Sequence, residues 1–103
     1  KGSFVNLNIF FPIMMSHKDI EEWQIEIRKK NNNPYEIDEL VVYIAPKKKA
    51  DFEKLKSDLK NRIIEETEIT PEIVKVELKE LLHRLGMDTE LKERRVVDNR
   101  KKL

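Results

Sequence analysis

The sequence predicts an α+β fold, a two-layer sandwich with a ferredoxin-like antiparallel sheet, helices on one face and a short C-terminal strand. Three observations predict it. Trp23, Ile25 and Ile27 alternate with Gln24, Glu26 and Arg28, the period of a strand with one wet face. Phe52, Leu55, Leu59 and Ile63 recur at spacings of three and four, the apolar stripe of an amphipathic helix. The chain has 103 residues, enough for one hydrophobic core and too few for two.

The elements follow in order. Phe4 to Ile9 alternates loosely and reads as a short strand. Phe10 to Ser16 reads as a short helix, with Pro12 in its first turn and Met14 and Met15 filling core space. The alternating strand around Trp23 ends at Lys29-Lys30-Asn31-Asn32-Asn33-Pro34, a turn in which Asn tolerates positive φ. Ile37 to Ala45 is apolar on both faces, so it is a central strand that pairs with its predecessor as an antiparallel hairpin. Pro46 ends it, and Lys47-Lys48-Lys49 is a solvated loop. Asp51 can cap or start the amphipathic helix, whose wet side places Lys54, Asp58 and Arg62 one turn apart. Burying the four apolar side chains of that helix contributes about 6–10 kcal/mol before conformational entropy is subtracted, so the helix must cover a sheet face. After Thr70-Pro71, Val74, Val76 and Leu78 alternate as another strand. Leu81 to Gly86 forms a helical turn or a loop that Gly86 ends with positive φ. Arg94 to Arg100 is a short final strand with charged flanks.

Composition excludes several functions. Charged residues make up 40% of the chain, with 21 Lys+Arg against 20 Asp+Glu, so there is no basic excess for nucleic acid or an anionic membrane. Without cysteine there is no disulfide framework, iron–sulfur cluster or thiol chemistry. His17 and His83 are too few for a histidine metal site, so no metal ligands are assigned. The apolar stretch from Phe4 to Met15 is broken by Asn6, Asn8 and Pro12, well short of a bilayer span. Lys1-Gly2-Ser3 is not followed by the unbroken apolar run of a secretion signal, and a chain that opens without Met reads as a piece of a larger polypeptide.

Familiar catalytic signatures are missing: there is no glycine-rich phosphate loop, no HExxH and no nucleophile elbow. His83 reads as a surface residue. Glu21-Glu22 and Glu65-Glu66 are neighbours that diverge on a strand or a helix, so neither pair is a carboxylate dyad. The most unusual stretch is Leu91-Lys92-Glu93-Arg94-Arg95-Val96-Val97-Asp98-Asn99-Arg100. A lysine on a loop before a basic strand can reach an anion and stabilise charge that develops in a transition state; a solvated basic tail is the plainer reading.

That ending resembles the C-terminal end of phenylacetate-CoA ligases and related adenylate-forming enzymes, which reads roughly Gly-Lys-Ala-Lys-Arg-Val-(Val/Ile)-Asp-(Asn/Arg)-Arg. The opening is similar too, with Lys1-Gly2, Val5-Asn6-Leu7 and Phe11-Pro12 in the family's order. Between them, Trp23-Gln24-Ile25-Glu26-Ile27 resembles the family's Tyr-Gln-Ile strand, and Asp38-Glu39-Leu40-Val41-Val42 its Asp-Glu-Leu-Thr-Val strand. The order of these motifs over nearly the whole chain carries the resemblance.

The resemblance implies that residues 1–103 are the mobile C-terminal lid domain of an AMP-forming ligase, its partner being the N-terminal adenylation domain of the same polypeptide. That domain would bind ATP, Mg²⁺ and a small-molecule carboxylate. A carboxylate and ATP would give an acyl-adenylate and pyrophosphate, and CoA would then displace AMP as the lid rotates. Lys92 matches the lysine that assists adenylation, and Arg94 is the alternative cation. Gly2 matches the glycine of the loop that enters the site for thioester formation, where a missing Cβ permits close approach. Leu91 stands where the family has Gly, and Gly86-Met87-Asp88-Thr89-Glu90 replaces its Ser/Gly-rich loop, which should stiffen the delivery of the lysine. The resemblance further implies a cytoplasmic protein, and a chain without activity when separated from its partner domain. Two other readings compete. One is a freestanding ferredoxin-like regulatory or ligand-binding module. The other is an RNA-binding sheet, which would need Trp23 and Tyr43 on one face.

Overall fold

The computed structural model describes residues 7–86 and 94–100. Leu7–Ile9 is a 3-10 turn that runs into helix α1 (Phe10–Met15). Strand β1 (Ile20–Lys29) follows, then β2 (Asp38–Pro46), helix α2 (Phe52–Thr67), strand β3 (Glu72–Lys75), helix α3 (Leu78–Arg84) and strand β4 (Val96–Asp98). The four strands form one sheet in the order β3-β2-β1-β4.

The α+β two-layer architecture is as the sequence predicts. The sheet, however, is mixed. Its centre is the expected antiparallel hairpin, with Trp23 opposite Ile44 and Ile25 opposite Val42. The outer strands run parallel to their neighbours, β3 to β2 and β4 to β1. The β2–β3 pair is parallel because α2 carries the chain back across the face before it re-enters the sheet.

The hairpin turn is built as its asparagines require. Asn31 and Asn32 have φ of 55° and 57°, and the Asn33 side chain accepts the Tyr35 N–H at 3.0 Å. On one sheet face Trp23, Ile25 and Ile27 of β1 and Leu40, Val42 and Ile44 of β2 are buried under Phe10, Ile13 and Met14 of α1 and Leu55, Leu59 and Ile63 of α2. Asp51 caps α2 by accepting the Lys54 N–H at 3.2 Å. On the opposite face Val41, Tyr43 and Ala45 pack with Val76, Leu81 and Leu85. A third helix therefore covers part of the second face.

Four readings of the sequence are corrected. Over Leu7–Ile9 the expected strand is a 3-10 turn, because Leu7, Phe10 and Ile13 share a helical spacing that outweighs the loose alternation; residues 4–6 lie outside the described residues. Met14 fills the core, but Met15 is 71% exposed, since the two project about 100° apart on α1. The strand expected around Val74 to Leu78 lies earlier. Ile73 is its core residue, the Val76 N–H still donates to the Ile44 carbonyl at 2.8 Å, and Leu78 already opens α3. Lys54 pairs with Asp58 at 3.1 Å as expected, whereas the Arg62 guanidinium turns to Glu66 at 3.8 Å and to the Ser16 hydroxyl at 3.2 Å.

Candidate functional site

The site lies on the second sheet face, where the end of α3 meets β1 and β4. Strand alternation turns Gln24 and Glu26 of β1 to this side, because Trp23, Ile25 and Ile27 point into the core. The hairpin register sets Tyr43 opposite Gln24, and the parallel register sets Val97 beside Glu26. Gln24, Glu26, Arg84, Arg94, Val97 and Asn99 line a polar cavity of about 170 Å³.

Glu26 is held on both carboxylate oxygens. The Tyr43 hydroxyl donates to Glu26 Oε1 at 2.6 Å, and Asn99 Nδ2 donates to Glu26 Oε2 at 2.9 Å. Burial pushes the Glu26 carboxyl up, but these two hydrogen bonds and the charges of Arg28 and Arg84 outweigh it and hold it below the usual glutamate range. Burial, and then the bond to Glu26, push the Tyr43 phenol up. Glu26 is therefore a fixed anion and a poor proton carrier. The Arg84 guanidinium lies 4.1 Å from the centre of the Tyr43 ring, a cation–π contact that fixes the end of α3. Gln24, only 4% exposed, donates to the carbonyls of Arg84 at 3.2 Å and Arg94 at 2.9 Å.

The approach to β4 is anchored from outside as well. Arg95 donates to the Trp23 carbonyl at 2.8 Å, meets Glu22 at 2.5 Å and lies over the Trp23 ring. Arg100 bridges Asp98 and Asp38, with the nearest contacts at 2.7 Å and 3.1 Å. Burial raises the Asp38 carboxyl, but hydrogen bonds from Lys29 and Arg100 leave it below its ordinary value. Such an arrangement orients backbone around a polar cavity that holds a fixed carboxylate.

Of the residues singled out in the sequence, Arg94 lines the cavity, while Lys92 and Gly2 lie outside the described residues. His83 is exposed at the end of α3, and Glu65 and Glu66 are exposed on α2. Trp23 and Tyr43 fall on opposite faces of the sheet, so they do not form the aromatic platform that the RNA-binding reading needs. Among the described residues no group of three or more His, Asp or Glu side chains is placed to hold a metal ion, and no helix is long and apolar enough to cross a membrane. Sequence reasoning missed Glu26, Tyr43, Arg84 and Asn99. The hairpin register was the available signal for the first two.

No protein-family model matches the chain, and no curated protein is significantly similar to it in sequence. Among solved structures, a domain of phenylacetate-coenzyme A ligase from Bacteroides vulgatus ATCC 8482 superposes with a TM-score of 0.71, covering 100% of this chain and 92% of that one at 19% identity. The two share a fold. At this identity the likeness speaks for architecture, and it covers every element from α1 to β4.

Proposed function

We propose that this chain is the C-terminal domain of an AMP-forming carboxylate–CoA ligase of the phenylacetate-CoA ligase kind. The observation that carries the reading is the whole-chain likeness in fold to a domain of such a ligase. The order of the Lys1-Gly2, Phe11-Pro12, Trp23-Gln24-Ile25 and Arg95-Val96-Val97-Asp98 motifs supports it independently.

On this reading the domain rotates between adenylation and thioesterification against an N-terminal domain that binds ATP, Mg²⁺, the carboxylate and CoA. The Mg²⁺ ligands then belong to that partner and to the phosphates of ATP. ATP and CoA make the cytoplasm its compartment. Lys92 contributes the ammonium group that stabilises charge in the adenylation step, with Arg94 the alternative cation, and Gly2 lets backbone come close to the thioester site.

The first check is the parent reading frame, which should encode an upstream adenylation domain. In that full-length protein, Lys92→Ala should lower pyrophosphate exchange by about 100-fold, the scale of removing one transition-state stabiliser. CoA transfer from a supplied acyl-adenylate should stay near the parental rate. Equal loss of both half-reactions removes Lys92 from this role.

A further inference from the structure

Gln24 is the sole polar side chain among the described residues that is buried as deeply as the core. It sits mid-strand on an inner strand of the sheet. An apolar side chain would fill that place without desolvating an amide, so the glutamine needs a reason.

Its hydrogen bonds supply one. The side-chain NH₂ has two hydrogens, and the carbonyls of Arg84 and Arg94 take one each. The orientation of the amide follows, because the flipped amide would turn Oε1 against two carbonyl oxygens. Both acceptors sit at chain junctions. The Arg84 carbonyl belongs to the last turn of α3, where helix carbonyls lack intrahelical partners. Arg94 immediately precedes the residue whose carbonyl starts the β4 ladder, Arg95, which accepts the Ile25 N–H at 2.7 Å. A third bond joins the same two places, from the Arg94 N–H to the Leu85 carbonyl at 3.0 Å. Gly86, which follows the first of them, has φ of 80°. Asparagine is one methylene too short to reach both carbonyls, and glutamate has nothing to donate.

We propose that Gln24 is a positioning residue whose amide clasps the Arg84 and Arg94 carbonyls and fixes, from the sheet, the two chain positions that bracket Lys92 in the sequence. The clasp stands on the described residues alone; its consequence for Lys92 rests on the ligase reading.

Two variants test it. Gln24→Met keeps the length without a donor, and Gln24→Glu keeps the shape but adds a third acceptor beside two carbonyls. In this chain, the Arg94 amide should exchange with solvent about tenfold faster in either variant, while the amides of the β1–β2 hairpin hold within about twofold. Unchanged exchange at Arg94, or hairpin amides that speed up in step with it, overturns the clasp; the second result makes Gln24 an ordinary core residue. In the full-length ligase, Gln24→Met should lower kcat for adenylation about tenfold, with KM for ATP and carboxylate and the CoA-transfer step unchanged. Parental adenylation in Gln24→Met, with Lys92→Ala still about 100-fold down in pyrophosphate exchange, breaks the link from clasp to lysine. If Lys92→Ala is itself fully active, the lysine has no part in adenylation and the link from clasp to lysine is overturned, while a full-length protein without pyrophosphate exchange overturns the ligase reading and leaves the clasp to amide exchange.

Discussion

The two faces of the sheet are built from the same two inner strands and do different work. One face is dry: β1 and β2 give it Trp23, Ile25, Ile27, Leu40, Val42 and Ile44, and α1 and α2 close over them. The other is covered only in part, because α3 has seven residues against sixteen in α2. There the same strands offer Gln24, Glu26 and Tyr43, joined by hydrogen bonds to Arg94, Asn99 and the end of α3. The larger apolar cluster lies on one side, and on the other a smaller one shares the face with the polar site, separated from it by the thickness of a single sheet.

Substitutions can break or sharpen that contrast. The largest effect is expected from Ile44→Ala, which opens a cavity in the dry face at a fully buried position. Chemical denaturation should show a loss of about 3 kcal/mol with an unchanged m-value, and a loss below 1 kcal/mol would mean that this face is not the main core. A smaller effect, about 1 kcal/mol, is expected from Glu26→Gln on the wet face, since its partners are partly solvated. The pH dependence has a definite sign. The folded-state carboxyl is held below its unfolded value, so its stabilisation is complete above the unfolded glutamate pKa of about 4.3 and disappears as pH falls through the lowered folded value. Melting curves of parent and variant should therefore differ at neutral pH and converge in acid; a gap that widens in acid contradicts the assignment. The smallest effect belongs to Lys54→Ala on the solvent side of α2. The Lys54–Asp58 pair at 3.1 Å is open to water, and its removal should shift stability by about 0.3 kcal/mol, near the resolution of a denaturation curve.

The dry face was readable because it obeys two local periods. Alternation around Trp23 and the three-and-four spacing from Phe52 to Ile63 each depend on residues a few positions apart. The Asn31-Asn32-Asn33 turn and the positive φ of Gly86 were readable for the same reason, as conformations set by individual residues. The direction of β3 and β4 was not, because strand polarity depends on where a crossover lands. Most of the candidate site was hidden too. Glu26 and Tyr43 meet through a register that a known turn would have fixed, but Arg84 enters only when α3 docks, and Asn99 only when β4 pairs. The strand reading failed over Leu7 to Ile9, where a short window fitted two periods at once.

The place of β4 in the sheet has a kinetic consequence. Arg28 meets Glu39 across a separation of 11 residues, whereas Asn99 meets Glu26 across 73. Closing the longer loop costs about 1.7 kcal/mol more in chain entropy, so the hairpin can form early while β4 must wait for a platform. A nascent chain would emerge with its hydrophobic half already able to collapse. Its polar cavity would take shape afterwards, once residues 94–99 had reached the sheet, which makes this site a late product of folding.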